Sequence, residues 1–483
     1  MARLKMQVMD EKGLGRMKDR VERMLEERGV HIDHPALCAA LADKGCKVQD
    51  GQVRFPRAVI AQAAAAVPKE FTLYAPDPAH DLPFPRRDGG FYTRTNTGAP
   101  AYREAGGETH PCRLENVEEW FKLCNSMENV DYIALPSTSE SEVPAEAVDV
   151  YTLEKALKIS KKHIWIQPYE ARNVRCLIDV AQAAAGGAEA LRARPFVSFI
   201  SCSVPLMGFK YMDAEVIYRC AEAGIPVQPC SLPTAGANTP VTAQGTMLAC
   251  CAEVMAQIVM LELLCPGLPV IATPLPFSMD MKTTHTLQSC PEITLGRLMC
   301  MQLFREGYGI AAHSYGTGTD SAAFDAQNMI ERTQLADMMA MSDADVLGGA
   351  GQLDTARTNS PLQLILDNEI FGIAQRLRQG LTVDDEMFDW DELMGDPEEL
   401  ADGFIVTEHT LRHYADATRP ELFNRGGLLS PGRTGGEDPA MQRFAEIMAN
   451  PEVIARSAEN LAAIDAAVAR AAETLIGKGR ETA

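Results

Sequence analysis

Short runs of imidazole, phenol, amide and hydroxyl side chains stand out in this sequence. They read His313-Ser314-Tyr315-Gly316, Gln167-Pro168-Tyr169-Glu170, Ser201-Cys202-Ser203, Gln228-Pro229-Cys230, Asn96-Thr97-Gly98, Pro136-Ser137-Thr138, Thr273-Pro274 and Gly348-Gly349-Ala350-Gly351. Groups of these types bind a small molecule by shape and hydrogen bonding. None of the runs offers a Lys for Schiff-base chemistry or a cluster of carboxylates for Mg²⁺. His313 is open to three readings: catalytic base, substrate ligand, or hydrogen-bonded core residue. Tyr169 and Tyr315 read equally as binding aromatics or as rim packing. Glu408-His409 with His413 places two imidazoles at i,i+4, a metal-ligand spacing, but no third ligand lies nearby and an exposed helical pair is the better reading. Gly316-Thr317-Gly318 opens like a dinucleotide fingerprint and then breaks at Ser321.

The runs sit where strands end. β-rich segments occur at Phe91–Asn96, Tyr132–Leu135, Ile164–Gln167, Phe196–Ser201, Pro226–Pro229, Pro269–Thr273, Gly309–His313 and Asp345–Leu347. Helical periodicity fills the gaps, for example Ala145–Ser160, Asn173–Ala185, Asp213–Ala223, Ala243–Leu264, Thr294–Glu306 and Phe324–Met341. Eight strands alternating with helices predict a (β/α)8 barrel, a TIM barrel of α/β class, with its active site at the C-terminal strand ends. A doubly wound sheet would carry a Gly-rich loop after its first strand, and none is present.

Residues 1–90 read as an N-terminal α/β cap. It has a helix from Glu11 to about Val30, short helices at His34–Lys44 and Pro56–Val67, and a Pro-rich hairpin from Phe71 to Phe84. The barrel is assigned to 91–355. Residues 356–483 form a helical extension that ends in a long helix over Pro451–Ile476, and all three segments make one functional unit. Such a tail packs on the barrel or on a second subunit, so a homo-oligomer is expected.

The chain has 483 residues and a formal charge of −21, which argues against nucleic acid and against an anionic membrane surface. Its 13 Cys residues are odd in number and lie in apolar stretches without a CxxC pair, the pattern of reduced thiols in the cytoplasm. The start MARLKMQVMD has no apolar h-region, and the apolar stretch Thr246–Cys265 is broken by Glu253, Gln257 and Glu262. A soluble cytoplasmic protein is the expectation.

Three segments carry a family resemblance: HSYGTGTDSAAFDAQ (His313–Gln327), LGGAGQLD (Leu347–Asp354) and LQLILDNEIFGIAQRLRQG (Leu362–Gly380), supported by NTGAPAYRE at Asn96–Glu104. Together they resemble the trimethylamine methyltransferase family, and more narrowly its branch without pyrrolysine, which demethylates quaternary amines. DNEIFG is the most specific piece. In the trimethylamine members the pyrrolysine lies in the loop after strand 7, near Asp320–Ala322 here, where this chain has only standard residues. The resemblance implies methyl transfer from a quaternary ammonium compound (glycine betaine, proline betaine, carnitine or γ-butyrobetaine) to Co(I) of a separate corrinoid protein. A quaternary nitrogen leaves as a neutral tertiary amine, so no activating residue is demanded.

On this reading an aromatic cage of Tyr102, Tyr169, Phe277, Tyr315 and Phe371 would hold the ammonium by cation–π attraction. Arg94, His313 and Gln167 would take a carboxylate. Tyr315, His313 and Asp320 would position the methyl donor, Asp320 either as a countercharge or as the N-cap of the following helix. Gly316, Gly318, Gly348, Gly349 and Gly351 would give a corrin ring room, or serve as plain turn residues. No D-x-H-x-x-G corrinoid-ligation motif is present, so no cobalamin is held tightly and the cofactor must come on a partner. A barrel lyase or aldolase, or a noncatalytic quaternary-amine binder, are the competing readings.

Overall fold

The computed structural model describes residues 4–138, 143–395, 403–426 and 437–481. Eight parallel strands form the centre: β1 Tyr92–Thr95, β2 Tyr132–Ala134, β3 His163–Ile166, β4 Val197–Cys202, β5 Val227–Ser231, β6 Thr273–Pro274, β7 His313–Tyr315 and β8 Val346–Ala350. They are ordered β6-β5-β4-β3-β2-β1-β8-β7. The ring closes between β6 and β7, where Ala272 bridges Ala312 and the His313 amide donates to the Ala272 carbonyl at 2.8 Å. Each strand is followed by a wall helix, α1 Leu114–Asn125, α2 Val148–Ile159, α3 Ala171–Ala185, α4 Tyr211–Ala223, α5 Ala243–Leu264, α6 Pro291–Gln302, α7 Ala326–Ala340 and α8 Pro361–Gln379, and a short helix Ala188–Ala193 follows α3. The chain is therefore a (β/α)8 barrel.

Two strands sit later in the sequence than their apolar runs suggest. The stretches before β6 and β7 are apolar and touch the ladder only at single bridges, Val227–Val270 and Ala272–Ala312. The regular pairing of β7 falls on the polar triplet, with His313 opposite Val346 and Tyr315 opposite Gly348. His313 thus begins its strand rather than ending it. Helix α1 was not among the segments read from periodicity.

Helix α5 is apolar all round and is long and apolar enough to cross a membrane. Here it is sandwiched between the barrel wall and the cap helices Glu11–Arg23 and Arg57–Ala66, which explains the missing polar face. The first cap helix gives way to a π-turn at Met24–Arg28 and stops at Gly29, whose φ of +74° only glycine adopts readily. A small cap sheet joins Val30–Ile32, Lys47–Gln49 and Gln52–Arg54 to Gly208–Phe209 from the loop after β4. The hairpin Phe71–Leu73/Leu82–Phe84 covers the N-terminal end of the barrel. There Tyr92 donates its hydroxyl to the Pro83 carbonyl at 2.8 Å, and His163 Nδ1 meets the Tyr74 carbonyl at 2.7 Å.

At the other end of the chain the last helix is Ala458–Glu481, seven residues later than expected, because 451–457 runs extended along α2, with the Ile454 amide on the Ile159 carbonyl. It buries Ile464, Val468 and Leu475 while packing on α2 and α3. Helix Glu437–Ala449 packs on α8 and α1.

Candidate active site at the barrel mouth

Deep inside the mouth, Arg94 on β1 is fully buried. Its guanidinium lies over the Trp165 ring of β3, Cζ 3.9 Å from the ring centroid. Nη1 donates to the Thr95 carbonyl at 2.6 Å, whereas Nε and Nη2 have no partner. His313 stands edge-on to the same Trp165, with centroids 6.4 Å apart, and neither ring nitrogen is bonded. Gly348 makes this approach possible, since a Cβ there would run into His313 Nε2 and come within 3.0 Å of Arg94 Cζ. Burial, and then the Arg94 charge, hold His313 well below the ordinary imidazole range, so it is neutral at pH 7. The titratable neighbours of Arg94 are the phenols Tyr132 and Tyr315 and the thiols Cys230 and Cys202. None of these is a carboxylate and no salt bridge reaches the guanidinium among the described residues, so it has no acidic counterion.

Below this layer lies a closed neutral network. His163 Nε2 meets Ser198 Oγ at 2.9 Å, Gln228 Nε2 donates to the same oxygen, and Tyr132 donates to Gln228 Oε1. The Tyr74 carbonyl can only accept, so His163 carries its proton on Nδ1. Burial pushes its pKa down to about 4.

Nearer the rim, Phe277 meets Tyr315 edge-to-face at 6.0 Å. Arg297 of α6 lies 5.4 Å from the Tyr315 centroid, donates Nη2 to the Pro276 carbonyl, and leaves Nε and Nη1 unpartnered. Burial lowers its pKa to about 10 and raises that of Tyr315 to about 12. Outside the pair opens a recess of about 610 Å³ whose walls include Phe277, His285, Asp320, Thr355 and Arg357.

Asp320 fastens three loops of this rim. It accepts from the Gln288 amide at 2.8 Å, from Thr355 Oγ1 at 3.0 Å and from the Ser289 amide at 3.2 Å. The helix N-cap is Asp325, which accepts from the Asn328 amide at 2.8 Å, so the capping role read for Asp320 is corrected. Burial raises the pKa of Asp320. Beside it Asp354, Thr355 and Ala356 are consecutive left-handed residues, with φ of +54°, +52° and +65°. They are held by amide bonds from Asp354 to the Ser321 carbonyl and from Thr355 to the Thr319 carbonyl, both 2.9 Å. Such backbone costs roughly 1–2 kcal/mol per residue, and strain of this kind collects at ligand sites.

The other candidates divide. Gln167 stands at the mouth and accepts from Thr97 Oγ1. Tyr169 is 43% exposed, and its hydroxyl is bonded to Ser137. Tyr102 is not a mouth aromatic. It is buried edge-on against Trp120 and donates its hydroxyl to Glu119 at 2.8 Å, in the layer between the first loop and α1. Phe371 is likewise packed between wall and helix, against Phe91 and over Gly316. The glycines are set by packing within the chain. A Cβ at Gly316 would collide with Leu347, at Gly351 with Trp120, at Gly349 with Gln352 and the Thr317 carbonyl, and at Gly318 with Gln288 at 2.7 Å. Gly316 and Gly351 therefore face the helix layer and give no room to a corrin.

Trp165 and Arg297 were missed. Trp165 lies on β3 two residues before Gln167, which directly follows the strand, a spacing the sequence contains. Arg297 interrupts an otherwise apolar helix. Among the described residues no cluster of three or more His, Cys, Asp or Glu could hold a metal ion. None of the 13 cysteines is in a disulfide.

Comparison with known proteins adds a lineage. Residues 2–475 match the model of a family described as trimethylamine methyltransferase. A trimethylamine methyltransferase of Methanosarcina barkeri is 25% identical over 440 residues, covering 89% of this chain and 88% of that one. A second, from Desulfitobacterium hafniense, is 26% identical over 425 residues, 88% and 85% of the two chains. A glycine betaine methyltransferase of the same species is 25% identical over 462 residues, 92% and 93%. Among solved structures, the monomethylamine methyltransferase of Methanosarcina barkeri overlays with a TM-score of 0.48 at 13% identity, covering 97% of this chain and 88% of that one.

Proposed function

The chain belongs to the trimethylamine methyltransferase family, and we propose that it takes a methyl group from a quaternary ammonium compound bearing a carboxylate and passes it to Co(I) of a corrinoid on a separate protein. The observation that carries this reading is Arg94: a fully buried guanidinium with two free donors and no counterion. A buried charge of this kind calls for an anion. Trimethylamine offers none, and its protonated form would be repelled. A betaine brings a carboxylate that Nε and Nη2 can grip as a planar fork, with a neutral His313 donating one further N–H. Its ammonium would then lie against Phe277, on the side of the Tyr315–Phe277 pair away from the Arg297 guanidinium, where cation–π attraction contributes about 0.5–2 kcal/mol per ring.

Co(I) supplies the nucleophile. The chain supplies alignment: anchoring one end of the donor fixes the N–CH3 axis toward the opening, and orientation of that order can be worth roughly 7–11 kcal/mol. The leaving group is a neutral tertiary amine, so no side chain has to move a proton. The rim fits a methyl acceptor that arrives from outside, because it opens through the recess beside Phe277 and Asp320 and has no metal-ligating cluster of its own among the described residues. We place the reaction in the cytoplasm, where 13 cysteines persist outside disulfides.

The test is release of the demethylated amine (tertiary from the quaternary donors, dimethylamine from trimethylamine), followed by mass spectrometry, with Co(I) corrinoid supplied and a panel of glycine betaine, proline betaine, carnitine, γ-butyrobetaine, choline and trimethylamine. Turnover is expected with at least one carboxylate-bearing donor and not with choline or trimethylamine. Demethylation of trimethylamine alone, or choline matching the betaines, overturns the reading.

A further inference from the structure

The C-terminal ends of β4 and β5 bring two cysteines side by side within the barrel mouth. On β4, Ser198 faces the lumen, where it meets His163 and Gln228. The two-residue alternation of a strand gives Cys202 the same face. On β5, Gln228 faces the lumen and Cys230 is the next residue to do so. Ser201 and Ser231 point the other way, to the Asp213 carbonyl and to Glu253 of the helix layer. In the parallel ladder Cys202 is the direct partner of Cys230, and the two thiols share a hydrogen bond. Both sulfurs lie within electrostatic range of Arg94 and Tyr315, which places them in the wall of the barrel mouth.

Spacing and access single this pair out. Neighbouring strands run about 4.8 Å apart, inside the roughly 4.4–6.8 Å between Cα atoms that a disulfide spans. The backbone is held on both sides, by the Ser203 amide on the Cys230 carbonyl at 3.0 Å and by the Cys202 amide on Asp213 at 3.0 Å. Side-chain rotation, not strand movement, therefore brings the sulfurs together. Cys202 is partly exposed, whereas Cys230 is buried and burial holds it as the thiol. Another close pair, Cys251 and Cys300 at 3.4 Å with Cys250 beside them, is fully buried between α5 and α6, out of reach of solvent. A nearby guanidinium stabilises the negative charge that an attacking sulfur develops, and Arg94 supplies one for Cys202.

We propose that Cys202 and Cys230 are a dithiol that a small peroxide entering the mouth converts to a disulfide. Cys202 Sγ bonds to one peroxide oxygen as the O–O bond breaks, giving a sulfenic acid and, with the thiol proton, one water. Cys230 Sγ then attacks that sulfur, the S–O bond breaks, and hydroxide leaves with the Cys230 proton as a second water. The two thiols give up two electrons and the peroxide takes them. Neither a donor nor a corrinoid takes part, so the dithiol stands or falls independently of the proposed methyl transfer.

The full chain, first reduced and then treated with hydrogen peroxide under native conditions, is expected to lose two hydrogens in intact mass. Its first disulfide should appear as a linked peptide of Cys202 and Cys230, and dithiothreitol should reverse both changes. Cys230→Ser should abolish the linked peptide and leave at Cys202 a sulfenic acid that dimedone traps. Cys251→Ser should form the link as the native chain does. Cys202 and Cys230 both remaining free to alkylate after peroxide treatment of the native chain overturns the proposal, as does a first link between Cys251 and Cys300.

Discussion

Arg94 is costly to the fold because two of its donors are buried without partners, and on the proposed reading a ligand carboxylate relieves that penalty. Arg94→Met should therefore lower kcat/KM for the carboxylate-bearing donor by roughly 100-fold or more, while the thermal midpoint holds or rises. A parallel fall in both would mark Arg94 as structural. His163 gives a pH prediction. In the folded chain it stays neutral down to about pH 4, against an ordinary value of 6.5. Between these values the unfolded chain binds the extra proton, so this stabilisation is complete above pH 6.5 and is lost as pH falls toward 4. The effect amounts to a few kcal/mol at most. Urea midpoints measured from pH 7 to pH 4.5 should fall for the native chain and fall less for His163→Gln.

Among the elements, α8 explains why the DNEIFG segment is so distinctive. Asp367 accepts both oxygens' worth of bonds from Arg332 Nη1, at 3.0 and 2.8 Å, and takes the Gly351 amide at 2.7 Å. It thereby ties α7, α8 and the loop after β8 together. Asn368 closes a ring of two bonds with Asn129, and Glu369 accepts the Glu421 amide. Asp367→Asn would strand a buried guanidinium and should cost roughly 3–5 kcal/mol in chemical denaturation. A change below 1 kcal/mol would show the pair to be incidental. The barrel was legible because eight apolar strand runs recur between helical periods, a signal that burial writes directly into composition. Tyr102 was misplaced because loop position does not say which way a ring turns, and Phe371 because its face of α8 packs on the barrel wall. Burying a phenol requires a bond for its hydroxyl, and Glu119 supplies it. Asp320 was misread because the capping signature fits any acid just ahead of a helix, whereas the partner amides that claim it lie more than thirty residues away.

At the scale of the molecule, we propose that 1–90, 91–355 and 356–483 fold as one unit. The cap helices cover α5, the hairpin covers the strand starts, and the last helix covers α2 and α3. A chain lacking residues 1–90 would bare an apolar helix surface and should be recovered only as insoluble material. Soluble, cooperatively unfolding 91–483 would instead show the barrel to be autonomous. The hairpin at the strand starts has a kinetic corollary. With the strand starts covered, donor, product and visiting corrinoid would on the proposed reading share the mouth in turn, the amine aboard before the corrinoid protein docks and the demethylated product leaving after it. Steady-state patterns should accordingly show compulsory order, with the tertiary amine competing against the quaternary donor.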